Sequence, residues 1–436
     1  MKRLCFFIAA VIILLPVAVR AEEIIKQDEV LTLQRCVEIA LKRQPEILAA
    51  QGNVDVYYAR TGLAEAGYYP KVDALAGYSR FRASTVSTGT STVGVQRART
   101  SHSFDQYDTG LSASQTFFDF WKTRTQVNIQ KLSADSAKAD LSNIEEQVIL
   151  NVKQSYYGVL KAKRNLVVAE ETVKQFQQHL EQAKAFYEVG TKPKFDVTKA
   201  EVDLGNSQLN LISVRNSLKI SMVILNNAMG VPEAPEYQIE DNLSFSKYSI
   251  TLKEAVDKAY ENRPELRSIL LKKKATEESV SLAKKEYLPV LTGDASYSWA
   301  GDKFAVNNGG WSAGLTLSIP IFSGFSTKHQ ISEAKANLLV LTANEETLRQ
   351  SVLLEVQQSL LNLSEAEERI SVAELTVRQA QENSDIANGR YAAGVGNPIE
   401  VTDAEVALSN ARTASNQALY DYKVARAVLE KAMGVR

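Results

Sequence analysis

The sequence predicts a mainly α-helical chain with a membrane β-barrel contribution, built as two repeats of helix, strand, strand, very long helix and helix. Two observations carry that prediction. The 64 residues from Phe325 to Asn388 contain no glycine or proline, and Leu348, Val352, Val356, Leu360, Leu363, Ala366, Ile370, Ala373, Val377 and Ala380 recur three or four apart along them. From Leu360 the spacing approaches a heptad, which suits a helix packed lengthwise against neighbours. At 1.5 Å per residue it would run roughly 95 Å, longer than a globular core requires. The same strut occurs earlier: Trp121 to Val189 has one glycine, Gly158, and no proline, and Ala162, Leu166, Ala169 and Val173 match Ala366, Ile370, Ala373 and Val377 at a shift of 204.

Composition sets the outer bounds. The chain has 436 residues, 45% hydrophobic and 23% charged, too polar for a bundle of membrane-spanning helices. The run Leu4 to Val19 follows Lys2 and Arg3 and ends at Val19-Arg20-Ala21, so residues 1–21 read as a secretory signal peptide. Cys5 falls inside that segment and Cys36 is left alone, which rules out an internal disulfide and reads as a packed helix residue. Without Lys2, Arg3 and Arg20 the net charge moves from −1 to −4, with no sign of a nucleic-acid surface. His102, His179 and His329 are scattered without metal-ligand spacing, and their expected roles are exposed or structural.

The repeats run from 22 to 231 and from 250 to 436, joined by a linker at 232–249. The first opens on Leu31-Thr32-Leu33 and passes Pro45 to Tyr69-Pro70; the second opens on Ile250-Thr251-Leu252 and passes Pro264 to Leu288-Pro289, a shift of 219 between matching prolines. Later landmarks are shifted by 204: Gly110 with Gly314, Gly190 with Gly394, and Met229-Gly230-Val231 with Met433-Gly434-Val435. The difference is accommodated in a Ser/Thr/Gly-rich insert, Ala83 to Gly94, expected to be an exposed loop.

After each Pro70 or Pro289 landmark the period changes from helical to alternating. Trp311 to Ile319 has apolar odd and small or polar even positions, and Gly110 to Phe118 repeats this with Leu111, Ala113 and Phe117 on the apolar side. Val72, Ala74, Ala76 and Tyr78 match Leu291, Gly293, Ala295 and Tyr297. Strands are expected at about 71–82, 108–118, 290–301 and 311–321. Their length and pattern fit transmembrane strands as well as soluble hairpins; the signal peptide, the missing disulfide framework and the two struts favour the membrane. Four strands cannot close a barrel, and open edges are not tolerated in lipid. The chain must therefore oligomerise, and three copies would give twelve strands and a lumen.

Several segments resemble the TolC-type outer-membrane efflux and secretion channels of Gram-negative bacteria. They are Asn262-Arg-Pro-Glu-Leu266, Pro320-Ile-Phe-Ser-Gly324, Arg390-Tyr-Ala-Ala-Gly394, Val401-Thr-Asp-Ala-Glu-Val-Ala-Leu-Ser409 and Ala432-Met-Gly434. The resemblance runs from about Leu31 to Arg436 and covers both repeats. It implies a homotrimer with a twelve-stranded outer-membrane barrel and a twelve-helix periplasmic tunnel, a passive exit duct in a tripartite efflux pump or type I secretion system. Implied partners are outer-membrane lipid, a periplasmic adaptor and an inner-membrane pump of the RND, ABC or MFS type. The residues themselves show no nucleophile-base pair, paired-histidine motif or phosphate-cradling glycine loop, so no catalysis, cofactor or metal is expected. The alternative from another class is a soluble periplasmic or cell-surface coiled-coil scaffold.

Under that resemblance the informative places are the two turns where the struts reverse, Val189 to Asp196 and Ala393 to Glu400. Gly190 and Gly394 suit left-handed helix ends, and Asn397, Pro398 and Glu400 read as N-cap, first-turn proline and capping-box acid. The turn residues Gly190, Thr191, Gly394 and Val395 would face the adaptor. Asp196, Glu400 and Asp403 are candidates for a pore constriction, where threefold symmetry makes each acid a ring of three, although helix-start chemistry also accounts for Asp196 and Glu400. Tyr391 is a candidate for a closed-state contact to Asp196, or for a packed tyrosine. Some family members carry a lock arginine two residues after the turn glycine; here that position is Gly396.

Overall fold

A computed structural model of the chain describes residues 25–91, 94–303 and 309–435; the expected signal peptide at 1–21 lies outside them. The duplication is metrical. Helix α1 (Leu33–Arg43) and helix α5 (Leu252–Asn262) have 11 residues each, and α2 (Pro45–Glu65) and α6 (Pro264–Lys285) have 21 and 22. The struts α3 (Lys122–Glu188) and α7 (Ser326–Ala392) are both 67 residues, and their return helices α4 (Lys194–Ala228) and α8 (Pro398–Ala432) are both 35. A 67-residue helix is roughly 100 Å long.

The repeated motifs at the start and end of each unit have a common physical basis. Thr32 caps α1 by accepting from the Arg35 N–H at 3.2 Å, and Thr251 caps α5 in a full capping box with Glu254. Gln44 and Arg263, each ahead of a proline, are extended, ending one helix while the proline begins the next. Gly230 (φ +72°) and Gly434 (φ +66°) close the two repeats by lying against these junctions. A Cβ on Gly230 would sit 2.9 Å from the Arg43 carbonyl, and one on Gly434 would sit 2.9 Å from the Arg263 nitrogen. The glycines are therefore required twice, by backbone sign and by space.

Packing follows the stripes. Val352, Val356, Leu363, Ala366 and Ile370 are buried with Leu429 and Met433, while Val148, Val152, Tyr156 and Leu160 bury Cys36, Ile39 and Met229 in the first repeat. The segment between repeats is held: strand β1 (Val30–Leu31) pairs in parallel with β4 (Gln238–Ile239), and the Tyr156 and Tyr422 hydroxyls donate to the carbonyls of Glu240 (2.6 Å) and Ser246 (2.7 Å).

Beyond the helices lies one antiparallel sheet in the order β2 (Lys71–Ser91), β3 (Gly94–Phe118), β5 (Val290–Gly301) and β6 (Gly309–Ser318). Register sorts its faces. Leu291 lies opposite Leu317, Ala295 opposite Ala313, Tyr297 opposite Trp311 and Leu111 opposite Tyr297, which makes one face apolar. Ser296 opposite Ser312, Thr292 opposite Thr316 and Asp294 opposite Gly314 make the other polar. A bulge after Thr116 swings Phe117 over Gly293, where its ring fills the space of the missing side chain. Aromatic residues bound the apolar belt: Tyr78, Tyr107, Tyr297 and Trp299 at one end, Tyr69, Phe118 and Trp121 at the other. The outer edges of β2 and β6 have no partner strand among the described residues.

Two strand expectations are corrected. The described part of the expected loop Ala83–Gly94 is strand: β2 and β3 stay in register from Lys71↔Ser114 to Ser91↔Gly94, so the strands expected at about 71–82 and 108–118 extend well past them. The β-branched Thr85, Val86, Thr88 and Thr90 favour extended backbone, which a reading based on Ser and Gly content overlooked. At the other hairpin β6 ends at Ser318, short of 321, because Pro320 offers no N–H to a ladder.

The passage from strand to strut is also duplicated. Phe120 (φ 52°) and Trp121 (φ 64°) are left-handed, as are Gly324 (φ 61°) and Phe325 (φ 64°), turning the chain into α3 and α7. Each bulky residue there costs about 1–2 kcal/mol. In the first repeat Asp119 offsets this by accepting from the Thr123 N–H (2.7 Å) and hydroxyl (2.5 Å).

The closing glycines give a direct test. Gly434→Ala should lower thermal stability by more than Gly394→Ala, because both impose a left-handed alanine at about 1–2 kcal/mol and only Gly434 also collides with backbone. Equal melting shifts in detergent would show that the junction contact contributes nothing.

Candidate functional site

The two turns at the far ends of the struts come together. Gly190 (φ +77°) and Gly394 (φ +81°) end α3 and α7 in the left-handed conformation. Past each, N–H groups fold back on a single carbonyl: Thr191 and Lys192 donate to Phe186 O, and Val395 and Gly396 donate to Arg390 O. Asn397 caps α8, its side chain accepting from the Ile399 N–H at 3.0 Å, with Pro398 in the first turn. The expected capping box is not completed, because the Glu400 carboxylate turns to the Arg390 guanidinium at 3.4 Å and forms a charge-charge contact in place of a bond to one neutral N–H.

Gly396 has a steric reason. A Cβ there would lie 2.7 Å from the Tyr391 nitrogen, so this turn admits no arginine. Position 192, its counterpart in the first repeat, is a lysine, and the Lys192 ammonium donates to the Gly396 carbonyl at 3.1 Å while standing 5.5 Å from the centre of the Tyr391 ring. One long cation from the first turn thus ties the second.

The candidate residues divide by environment. Tyr391 is fully buried between His179, whose ring is tilted against it (ring centres 4.7 Å), and Phe186, which meets it edge-on (5.7 Å). Asp196 is buried in the first turn of α4, and burial, with the nearby Asp196 carboxylate, pushes the Tyr391 phenol up to about 12. The two face each other without a hydrogen bond of acceptable geometry; the phenol oxygen has no such partner among the described residues. Glu400 and Asp403 are exposed. Of the turn residues, Gly190, Thr191, Gly394 and Val395 are all exposed, with Val395 at 71%.

Several polar residues at this site escaped the sequence reading. Asp203 on α4 accepts from Lys199 (2.5 Å) and from the Thr402 hydroxyl on α8 (2.7 Å). Glu405 on α8 accepts from Ser384 (2.8 Å) and Asn388 (2.7 Å) on α7. A signal was present in the duplicated segments Val197-Thr-Lys-Ala-Glu-Val-Asp203 and Val401-Thr-Asp-Ala-Glu-Val-Ala407, where the positions that changed between repeats include the cross-linking Asp203. His179 follows Phe176 by three residues, which puts it on the buried face of α3, but its contact with Tyr391 becomes visible only with α7 in place.

His179 is 3% exposed and neither ring nitrogen has a hydrogen-bond partner among the described residues. Burial lowers its pKa, opposed by the carboxylates of Asp203, Asp196 and Glu405 and assisted by Lys199. Folded, it therefore binds a proton less readily than when unfolded, so its contribution is complete above the unfolded value of about 6.5 and is lost progressively as pH falls below that value through the lowered folded one. Hydrogen-exchange protection across residues 179–204 and 387–405, corrected for the intrinsic pH dependence of amide exchange, should fall from about pH 7.5 to about pH 5.5, and His179→Phe should flatten that fall. An unchanged pH response in the variant would assign the effect to the surrounding carboxylates.

The described residues contain no group of side chains suited to a metal ion and no helix long and apolar enough to cross a membrane. The sequence profile of the outer membrane efflux protein family matches residues 36–231 and 255–435, one segment in each repeat. The chain is 24% identical over 340 residues to outer membrane protein TolC of Escherichia coli, covering 74% of this chain and 68% of that protein. It is 24% identical over 412 residues to the alkaline protease secretion protein AprF of Pseudomonas aeruginosa, covering 91% and 83%. Among solved structures, one of CusC, which changes conformation on folding and transmembrane channel formation, superposes with a TM-score of 0.79 at 18% identity over 93% of this chain and 92% of that one. With both halves of its duplicated architecture matched, the chain belongs to the outer membrane efflux protein family.

Proposed function

We propose that this protein is a passive exit duct of the outer membrane, working as a trimer that carries cargo away from a tripartite efflux pump or a type I secretion machine. The carrying observation is the sheet: one apolar face, one polar face and two unpaired edges, continuous with helices roughly 100 Å long. A water-soluble coiled-coil scaffold would leave Leu315, Leu317 and Trp311, all more than half exposed, without a reason. In a trimer, β2 of one copy meets β6 of the next and twelve strands close. The polar face then lines the lumen with Asp73, Asp108 and Asp294, and the struts form the periplasmic tunnel.

On this reading the tips meet a periplasmic adaptor through the exposed turn residues Gly190, Thr191, Gly394 and Val395, and the adaptor recruits an inner-membrane pump of the RND, ABC or MFS type. Glu400 and Asp403, exposed and one helical turn apart, supply rings of carboxylates at the mouth. Asp196 acts from inside the tip, where its charge meets the buried Tyr391 and His179. Glu400 is partly countered by Arg390, so Asp403 contributes the stronger selectivity charge.

Planar-bilayer recording across a salt gradient tests this reading. The parent should conduct as a trimer with cation preference, and Glu400→Ala with Asp403→Ala should shift the reversal potential toward zero, the Asp403 change contributing more. An unchanged reversal potential in a trimeric double variant would remove the ring, and a monodisperse monomer in mild detergent would remove the duct.

A further inference from the structure

Between α3 and α6, where the struts leave the sheet, lies a cavity of about 690 Å³ that the transport reading does not use. Its walls carry the aromatic rings of Tyr68 and Trp121 and the cations Arg124, Lys131 and Lys285, against one carboxylate, Glu278. That carboxylate already accepts from the Asn128 amide at 2.9 Å. Lys131 pairs with Glu65 at 3.0 Å, and Lys285 donates to the Trp121 carbonyl (3.3 Å) and the Thr125 hydroxyl (2.5 Å). Arg124 is exposed and has no hydrogen-bonded or ionic partner among the described residues. The cavity therefore has an excess of positive charge, with one guanidinium uncommitted.

The side on which it opens follows from register. Phe118 lies opposite Leu291, which lies opposite Leu317 on the apolar face. The Trp121 ring stands edge-on to Phe118 at 5.7 Å, so the cavity wall continues the apolar belt at its helix-side boundary. Trp121 is held there by a left-handed backbone (φ 64°), a strained conformation for a bulky residue that places its ring against the belt. Strands β3 and β5 are the middle pair of the sheet and adjoin α3 and α6, away from the unpaired edges of β2 and β6 where a neighbouring copy would dock. A cationic recess beneath an aromatic girdle sits at the depth of lipid headgroups.

We propose that this cavity binds the phosphodiester headgroup of an anionic glycerophospholipid in the periplasmic leaflet, with Arg124 and Lys131 contacting the phosphate and Trp121 and Phe118 contacting the upper acyl chain. Arg124 supplies a forked, permanently charged donor suited to phosphate oxygens, and Lys131 adds a second charge by exchanging Glu65 for the lipid. The inference rests on the outer-membrane reading, which sets the protein among lipids. Its consequence for the fold is a lipid wedged where each protomer's strands become helices.

The test is native mass spectrometry of the full-length protein in mild detergent, titrated with phosphatidylglycerol, with phosphatidylethanolamine, and with inorganic phosphate as competitor. The expected result is one phosphatidylglycerol retained per protomer, preferred over phosphatidylethanolamine and not displaced by inorganic phosphate. Arg124→Gln with Lys131→Gln should weaken retention roughly tenfold or more, Arg124→Lys should keep most of it, and Arg215→Gln, which alters a distant ion pair with Glu170, should keep all of it. Equal retention by parent and double variant would overturn the site, and displacement by inorganic phosphate would overturn the lipid assignment in favour of an ion site. Should Arg124→Gln with Lys131→Gln fail to assemble, loss of the lipid preference in Arg124→Ala with assembly intact would support the site, and its persistence would overturn it. Failure of the parent to require detergent would instead count against the duct reading, independently of the lipid count.

Discussion

Backbone hydrogen bonding in lipid is the constraint on which the rest of this structure depends. Every N–H and C=O in hydrocarbon needs a protein partner, and one chain leaves the outer edges of β2 and β6 without one. The apolar belt places those edges in the membrane, and closure among copies then becomes a requirement of the fold. The duplicated design follows from the same constraint: each repeat contributes a hairpin joined by a short link to a strut, so closing the strands into a barrel would also arrange the helices into a tube. The left-handed pairs Phe120-Trp121 and Gly324-Phe325 make that joint at equivalent places. The strain they hold is the consequence of turning the chain from strand into helix within the short links at 119–121 and 319–325.

Duplication also explains what differs between the halves. The struts and return helices match residue for residue in length, yet the tips have diverged. The first turn carries Lys192, whose side chain crosses to the second turn, and the second carries Gly396, whose missing side chain lets the chain pass the Tyr391 backbone. Each depends on the other: a side chain at 396 would push away the carbonyl that Lys192 reaches. The same division appears one turn deeper, where Asp203 accepts from Thr402 and the equivalent of Asp203 is Ala407. Two near-identical helix pairs become one interlocked tip through residues that are not shared.

Sequence periodicity was informative wherever one face of an element is buried. The struts, the strands at 290–301, the turn glycines and the shift between repeats all follow from spacing, because a helix stripe and a strand alternation are imposed by burial at every turn or pleat. Where burial does not impose a pattern, the reading failed for identifiable reasons. Ala83–Gly94 has loop composition, yet its β-branched residues extend a ladder already begun by Tyr78 and Phe81. Glu400 has the position of a capping-box acid, but Arg390 lies across the turn, a proximity no local pattern encodes. Asp196 and Tyr391 were singled out, whereas their neighbours His179, Asp203 and Glu405 were not, since polar residues buried between long helices are recognisable only when the opposite helix is in place.

The central claim is that β2 of one copy pairs with β6 of the next, and cysteine cross-linking measures it directly. In a Cys36→Ser background, single cysteines at Val72, Ala74 or Ala76 would be combined with one at Ala313, Leu315 or Leu317, and oxidised in membranes. The account predicts that a subset of pairs, set by the register at the seam, gives covalent dimers and trimers and nothing larger on non-reducing gels. Only monomeric bands across every combination, or a ladder continuing past the trimer, would contradict it.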